Sequence, residues 1–183
     1  MENAKIEKFK CDILGDFQTL CRCPKIIFKQ VVLKGPYAQE ALEWLCTASL
    51  ADMAVNTCKY SLMLNENAGI EAEITITKVA ENEFYVVTGA ATTQYLLNFI
   101  AKKVGNKFAS SGLSITDVTG DTAILSLQGP LSQQVLQRIS PEAKQLAQLS
   151  YGQAADVSLR GLDGQLLNAK YVRQILCAKI VIY

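Results

Sequence analysis

The chain repeats one strand-turn-helix pattern, and this repeat restricts its possible folds more than any other feature of the sequence. Residues 31–45 align with residues 125–139, and a Gly-Pro dipeptide at 35–36 aligns with another at 129–130. In each copy an apolar strand precedes the glycine, and the proline opens an amphipathic helix, where its missing N–H costs no hydrogen bond. Because the strand and helix patterns recur together with the dipeptide, we predict a pseudo-duplicated α+β domain.

A predicted β-hairpin lies between the two copies. Residues 58–65 and 70–79 alternate at period two, and the polar stretch between them supplies a turn. If the turn tip falls at residues 67–68, Leu62 pairs with Glu73, and the hairpin has one mixed face and one mainly apolar face that is predicted to be core. The mixed face carries Cys58, Tyr60, Leu62, Leu64, Glu71, Glu73, Thr75 and Thr77, and the predicted core face carries Met63, Ile70, Ala72, Ile74 and Ile76.

Tyr60 and Glu73 are the candidate functional pair of this hairpin. In the predicted register Tyr60 lies opposite Thr75, so its ring is diagonal to Glu73 at about 7–8 Å. An aromatic ring beside a carboxylate can form one wall of a site for a flat polar heterocycle. The alternative is a solvated sheet face whose acidic residue has no function. If the first interpretation holds, Glu73 lines a concave pocket together with Tyr60.

Composition excludes several classes of partner and chemistry. The 183 residues carry a formal net charge of +1, and the chain has no basic run typical of a nucleic-acid surface. It also has no apolar stretch of about 18 residues that would span a membrane. There is no histidine, which excludes Ser-His and Cys-His catalytic pairs. Any proton transfer therefore depends on carboxylates, tyrosines, lysines or cysteines.

The six cysteines are scattered through a chain large enough to fold without disulfides. This pattern predicts reduced thiols in a cytosolic or matrix compartment. Only Cys21 and Cys23 lie close together, and they lack both a second pair at zinc spacing and a histidine. We therefore expect no metal site.

The remaining sequence predicts antiparallel strands and packed helices. A strand is predicted at 84–88, a helix at 92–104, a strand at 113–118, a short helix at 141–149, and a hairpin of 157–159 with 166–171. Residues 175–183 form a strongly β-prone apolar strip, which requires a partner strand to cover its edge.

Three segments that occur in order, residues 60–77, 85–91 and 123–130, resemble the folate-binding domain of the aminomethyltransferase family. This family includes the glycine-cleavage T-protein and the carboxy-terminal half of sarcosine and dimethylglycine dehydrogenases. The Met-Leu-Asn stretch at 63–65 and the segment from Asp117 to the second Gly-Pro are more similar to the dehydrogenase branch. The resemblance implies an α+β fold of antiparallel sheets with packed helices and a duplicated core, which surrounds a central pocket for tetrahydrofolate.

The resemblance also implies domain boundaries and site residues. It implies a divergent segment at 1–25, the folate-binding domain at 26–171 and a divergent apolar tail at 172–183. The hairpin carboxylate that assists one-carbon transfer at the reactive folate nitrogen falls on Glu73, where most members have aspartate. The cofactor-binding positions implied by the resemblance are Tyr60, Leu62, Thr88, Gly89 and Tyr171.

The sequence after Tyr171 departs from the family pattern. Residues 172–177 lack the glycines and acidic residues that help to hold the folate in the family, and from the resemblance we expect the small carboxy-terminal barrel to be absent. No Gly-x-Gly-x-x-Gly flavin motif follows a strand. We therefore expect a central fragment in which transfer activity is impaired, and FAD would be needed only if a missing amino-terminal dehydrogenase domain is supplied.

The expected function is tetrahydrofolate binding and assistance to one-carbon transfer from an N-methyl amine. The expected partners are a small-molecule folate, a substrate derived from that amine, and a flavin dehydrogenase domain or subunit. The alternative is a non-catalytic regulatory module that resembles the pyruvate dehydrogenase phosphatase regulatory subunit. The resemblance implies the mitochondrial matrix, whereas a native start at Met1 would imply the cytoplasm.

Overall fold

The computed structural model of the chain describes residues 28–89, 93–108, 112–128, 132–160, 166–173 and 177–182. The chain divides into two compact units, one formed by Ile26–Gly120 and the other containing Asp121–Tyr183. Each unit has its own antiparallel sheet. The predicted boundaries at 26–171 for the folate-binding domain stay a prediction.

The first unit contains a five-stranded sheet and two helices. Its elements are β1 (Phe28–Lys34), α1 (Ala38–Leu45), β2 (Thr57–Leu64), β3 (Ile70–Ala80), β4 (Glu83–Gly89), α2 (Thr93–Phe108) and β5 (Ser114–Asp117). The strand order is β2-β3-β4-β1-β5. Strands β2, β3 and β4 are consecutive and joined by short turns. Strand β1, the first in the sequence, lies between β4 and β5.

Helices α1 and α2 pack with one face of this sheet. Helix α1 buries Ala38, Ala41, Leu42 and Leu45, which recur at helical spacing. These side chains belong to one core cluster with residues of α2 and of strands β1, β3 and β4. That cluster includes Val31, Leu33, Ile74, Ile76, Phe84, Val86, Ile100 and Val104.

Gly35 makes the turn from β1 into α1, and no other residue fits there. Its φ of +141° lies in a region that L side chains rarely adopt. A Cβ at this position would come within 2.7 Å of the backbone oxygen of Gly112. Its N–H donates to the carbonyl of Asn82 at 2.9 Å, and its carbonyl accepts from the N–H of Ala38 at 3.0 Å. The first Gly-Pro turn therefore contacts the start of α1, the turn between β3 and β4, and the backbone at Gly112.

The second unit contains a four-stranded sheet. Its elements are β6 (Ala123–Gln128), α3 (Ser132–Ile139), α4 (Ala143–Leu146), β7 (Ala154–Arg160), β8 (Leu166–Arg173) and β9 (Cys177–Ile182). The strand order is β6-β9-β8-β7. Strand β9 falls within the segment that the resemblance treats as a tail, and it pairs with β6 on one side and β8 on the other. The apolar strip at residues 175–183 thus contains an interior strand, β9, which has a partner strand on each side.

The structure forms a strand and then a helix in both copies of the repeat. Helix α1 begins at Ala38 and ends at Leu45, and α3 begins and ends at the aligned residues Ser132 and Ile139. The aligned helix positions are buried in the same pattern. They are Ala41 with Val135, Leu42 with Leu136, and Leu45 with Ile139. The second Gly-Pro dipeptide lies outside the described residues.

The α+β architecture of antiparallel sheets with packed helices is confirmed. One residue of the hairpin departs from the expected faces, since Ile70 was placed on the core face and is 64% exposed. A register shift between Met63 and Leu64 pairs Leu64 with Ile70 and interrupts the alternation at this end of the hairpin. Within the described residues, no helix combines the length and apolarity that crossing a bilayer requires.

Candidate functional site

The β2–β3 hairpin has the predicted register. Leu62 pairs with Glu73 and Tyr60 pairs with Thr75. Tyr60 and Glu73 are therefore diagonal neighbours on one face of the sheet. The two candidate residues that the sequence predicts as a pair are brought together.

The turn residues explain why this register forms. The side-chain oxygen of Asn65 accepts hydrogen bonds from the backbone N–H groups of Asn67 at 3.0 Å and Gly69 at 2.9 Å. Its amide nitrogen donates to the carboxylate of Glu71 at 2.7 Å. Asn side chains commonly stabilise turns in this way. Glu71 is thus part of the turn, which leaves Glu73 as the carboxylate available for chemistry on this face.

Four residues form a row across the end of the sheet. Leu62 of β2 pairs with Glu73 of β3, and Gly89 of β4 pairs with Phe28 of β1. The β3–β4 register, in which Ile74 pairs with Thr88, places Gly89 beside Glu73 when it is continued by one residue. We call these four residues, Leu62, Glu73, Gly89 and Phe28, the open row.

The face of the sheet that carries the open row is exposed at the row and buried further along the strands. Glu73 and Gly89 are exposed, and Tyr60 is 55% exposed. A Cβ added to Gly89 would meet no atom of the described residues within 4 Å, so their packing does not require a glycine here. The residues further along this face are buried, and they are Gln30, Cys58, Thr75, Thr77, Tyr85 and Val87. The row therefore leaves room for a ligand beside Glu73, and the enclosing pocket stays a prediction.

The environment of Tyr60 makes its phenol a weaker acid than an ordinary tyrosine. Partial removal of the ring from water and the negative charge of the neighbouring Glu73, which can accept a hydrogen bond from the phenol, raise the pKa of Tyr60 above its ordinary value. Like an ordinary tyrosine, it is a neutral hydrogen-bond donor at physiological pH, and Glu73 does not change this. It can donate to Glu73 or to a ligand without bringing a second negative charge.

Thr88, which the sequence predicts as a cofactor-binding residue, lies on the opposite face. It pairs with Ile74, whose side chain belongs to the core, and it is only 4% exposed. Side chains of directly paired residues point to the same face of a sheet. The hydroxyl of Thr88 donates to the backbone carbonyl of Glu73 at 2.8 Å.

Tyr171, the last predicted contact, belongs to the second unit. It lies in β8, where its backbone pairs with Ala155 of β7 and Ile180 of β9. Its role in folate binding stays a prediction.

Phe28 is the member of the open row that the sequence did not reveal. Its position beside Gly89 depends on the pairing of β1 with β4, two strands far apart in the sequence. A half-buried aromatic residue at the start of an apolar strand gives no local signal of a functional role.

A duplicated strand-helix core with a carboxylate on an antiparallel hairpin defines the class of domain expected from the sequence, a folate-binding, aminomethyltransferase-like domain. Residues 26–174 match the family described as the GCVT N-terminal domain. The match covers most of the chain, and the chain belongs to this family.

Individual relatives support the same assignment. The chain is 34% identical over 115 residues to a 4-methylaminobutanoate oxidase (formaldehyde-forming) of Paenarthrobacter nicotinovorans, a match that covers 63% of this chain and 13% of the oxidase. It is 30% identical over 143 residues to an aminomethyltransferase of Thermotoga petrophila, covering 74% of this chain and 38% of that enzyme. The chain therefore spans well under half the length of these relatives.

Two solved structures share the fold. The glycine cleavage system aminomethyltransferase T of Bartonella henselae superposes with a TM-score of 0.65 at 22% identity, and the match covers 84% of this chain and 39% of that one. The heterotetrameric sarcosine oxidase of Corynebacterium sp. U-96 superposes with a TM-score of 0.57 at 15% identity, covering 85% of this chain and 71% of that one. At these identities the likeness concerns the fold.

Proposed function

We propose that this chain binds tetrahydrofolate at the open row and assists the transfer of a one-carbon group to it. The observation that carries the proposal is that Glu73 and Tyr60 are diagonal neighbours at the exposed end of the sheet face, with Gly89 beside Glu73. Membership of the aminomethyltransferase-like family supports folate as the ligand.

The residues of the open row fit a flat polar ring system. Gly89 leaves space for a ring against the backbone on one side of Glu73, and Leu62 offers an apolar contact on the other. Binding sites of this kind combine apolar walls with a few well-placed polar groups. Tyr60, one residue pair along the hairpin, adds an aromatic surface and a hydroxyl donor.

Glu73 supplies the charge that the reaction requires. Tetrahydrofolate, when bound, provides the nitrogen that accepts the one-carbon group. A carboxylate beside that nitrogen stabilises the positive charge that develops as the new bond forms, and it can accept the proton that is released. The neutral phenol of Tyr60, a diagonal neighbour of Glu73, can orient the carboxylate by donating a hydrogen bond to it. Glu73 therefore has the catalytic role in this proposal.

The dehydrogenase branch is a finer part of the proposal. Similarity to a 4-methylaminobutanoate oxidase, whose named substrate is an N-methyl amine, supports an N-methyl amine as the source of the one-carbon group. The sarcosine oxidase that shares the fold is a heterotetramer, which supports a separate flavin dehydrogenase domain or subunit as partner. FAD would belong to that partner. A mitochondrial matrix location also belongs to the proposal.

Titration calorimetry with tetrahydrofolate under reducing, oxygen-free conditions tests the proposal. The chain is compared with Glu73→Gln and with the matched control Glu40→Gln, which alters an exposed carboxylate on α1. Helix α1 packs with the opposite face of the sheet, so the control should bind like the unaltered chain. Hydrogen bonds to charged groups contribute about 1.5–3 kcal/mol, so Glu73→Gln should weaken binding by about tenfold to a hundredfold.

Two results would contradict the proposal. If the unaltered chain does not bind tetrahydrofolate, folate binding is excluded and the non-catalytic regulatory alternative gains support. If Glu73→Gln binds as well as Glu40→Gln does, the ligand does not use the open row.

A further inference from the structure

Thr88 is buried on the core face of the sheet, but its hydroxyl reaches the backbone of the proposed catalytic residue. It donates to the carbonyl oxygen of Glu73 at 2.8 Å. The side chain of Thr88 lies on the face opposite to the side chain of Glu73, because Thr88 pairs with Ile74 and shares its face. A ligand on the face of Glu73 would therefore not meet this hydroxyl directly.

The hydrogen bond lies where the pairing of two strands ends. Among the described residues, the pair of β3 and β4 nearest the open row is Ile74 with Thr88, and Glu73 immediately precedes Ile74 in β3. Backbone at the end of a ladder opens more readily than backbone within it. A side-chain hydrogen bond at this point adds a connection between β4 and the residue whose position matters most for the proposed chemistry.

We infer that Thr88 is a positioning residue, which fixes the backbone of Glu73 from the core face and so holds the carboxylate at the open row. This inference rests on the proposed function. It replaces direct cofactor contact as the role of Thr88. Displacement of a reacting group by about 1 Å can lower a rate by about a hundredfold, so control of one carbonyl has a measurable effect.

The variant Thr88→Val removes the hydroxyl and keeps a branched side chain of similar size. Thr88→Ser retains the hydroxyl and should behave like the unaltered chain. Thr116→Val makes the same substitution at an exposed position of β5, away from the hairpin, and serves as the control. Circular dichroism of each variant establishes that it is folded.

The first measurement is hydrogen exchange, followed by mass spectrometry, on the full chain without ligand. We expect faster exchange in a peptide covering residues 70–76 for Thr88→Val, and unchanged exchange there for Thr88→Ser and Thr116→Val. This measurement does not depend on folate. Unchanged exchange in Thr88→Val would overturn the inference.

The second measurement is a double-mutant cycle on tetrahydrofolate affinity, using Thr88→Val and Glu73→Gln singly and together. If Thr88 acts through the carboxylate of Glu73, its loss should weaken binding about threefold to tenfold in the unaltered chain and hardly at all in Glu73→Gln. An equal loss in both backgrounds would indicate general weakening of the sheet and would overturn the positioning role. If exchange rises but the unaltered chain binds no folate, the proposed function fails and the inference fails with it.

Discussion

Replacing Asp117 by asparagine should destabilise the chain at neutral pH and have little effect in acid. Asp117 ends β5, the short edge strand of the first sheet, and its carboxylate lies 2.5 Å from the ammonium of Lys29 on β1. The backbone N–H of Thr119 also donates to this carboxylate at 3.0 Å. The hydrogen bonds from Lys29 and then Thr119 lower the pKa of Asp117 from 3.8 to about 2.

The magnitude follows from that difference in pKa. At about 1.36 kcal/mol for each pH unit, a change from 3.8 to about 2 corresponds to about 2.4 kcal/mol. The side chain of Asp117 is 34% exposed, so solvent screening reduces the contribution, and we expect about 1 kcal/mol. The folded pKa lies below the unfolded one, so this stability is fully present above about pH 4 to 5. It is lost as the pH falls through the folded value of about 2.

Urea unfolding at a series of pH values from 7 to 2.5 measures this effect. Asp117→Asn should lower the free energy of unfolding by about 1 kcal/mol at pH 7, and the difference from the unaltered chain should shrink below pH 4. Asp121→Asn, at an exposed carboxylate just beyond the first unit, provides the control and should change little at any pH. A loss that is the same at pH 7 and pH 2.5, or absent at pH 7, would refute the reasoning.

Two further predictions concern a pair of glycines and the partly buried thiol of Cys46. Gly35→Ala should lower the free energy of unfolding by about 3 kcal/mol, because of the positive φ and the 2.7 Å approach to a backbone oxygen, whereas Gly89→Ala should change it by less than about 1 kcal/mol. Denaturant titration compares the two, and similar losses would contradict the geometry. Burial raises the pKa of the Cys46 thiol to about 12, so iodoacetamide at pH 8 should leave Cys46 unmodified in the folded chain, as peptide mass mapping can show. Labelling as fast as in the urea-unfolded chain would contradict this prediction.

The hairpin register could be predicted from the sequence because it depends on local features. The alternation of residues 58–65 and 70–79 and the turn between them fix which residues face each other. The pairing of Leu62 with Glu73 follows from the tip position alone. The prediction that Ile70 lies on the core face was wrong. The bulge beside Met63, which exposes Ile70, results from the detailed geometry of the turn, and alternation does not encode that geometry.

Other parts of the site depend on pairings between distant segments. Phe28 joins the open row through the pairing of β1 with β4. No local pattern in the sequence specifies that β1 lies between β4 and β5. The same is true of β9, whose need for a partner strand was clear from its apolar side chains. The sequence did not indicate that it would lie between β6 and β8. The burial of Thr88 could not be predicted locally either, because it depends on which face of the sheet the helices cover.

In the first unit, the residues proposed to bind the ligand are largely different from those that stabilise the fold. Three of the four residues of the open row come from β2, β3 and β4, which are consecutive strands joined by short turns. The core beneath them combines buried residues of these three strands with residues of α1, α2 and β1. Substitutions at exposed row positions such as Glu73 should therefore change ligand binding with little loss of stability, whereas substitutions of the buried helix residues should do the opposite. Thr88 is an exception, because it is buried and its hydroxyl is hydrogen-bonded to the backbone of Glu73, so its substitution should affect both ligand binding and stability.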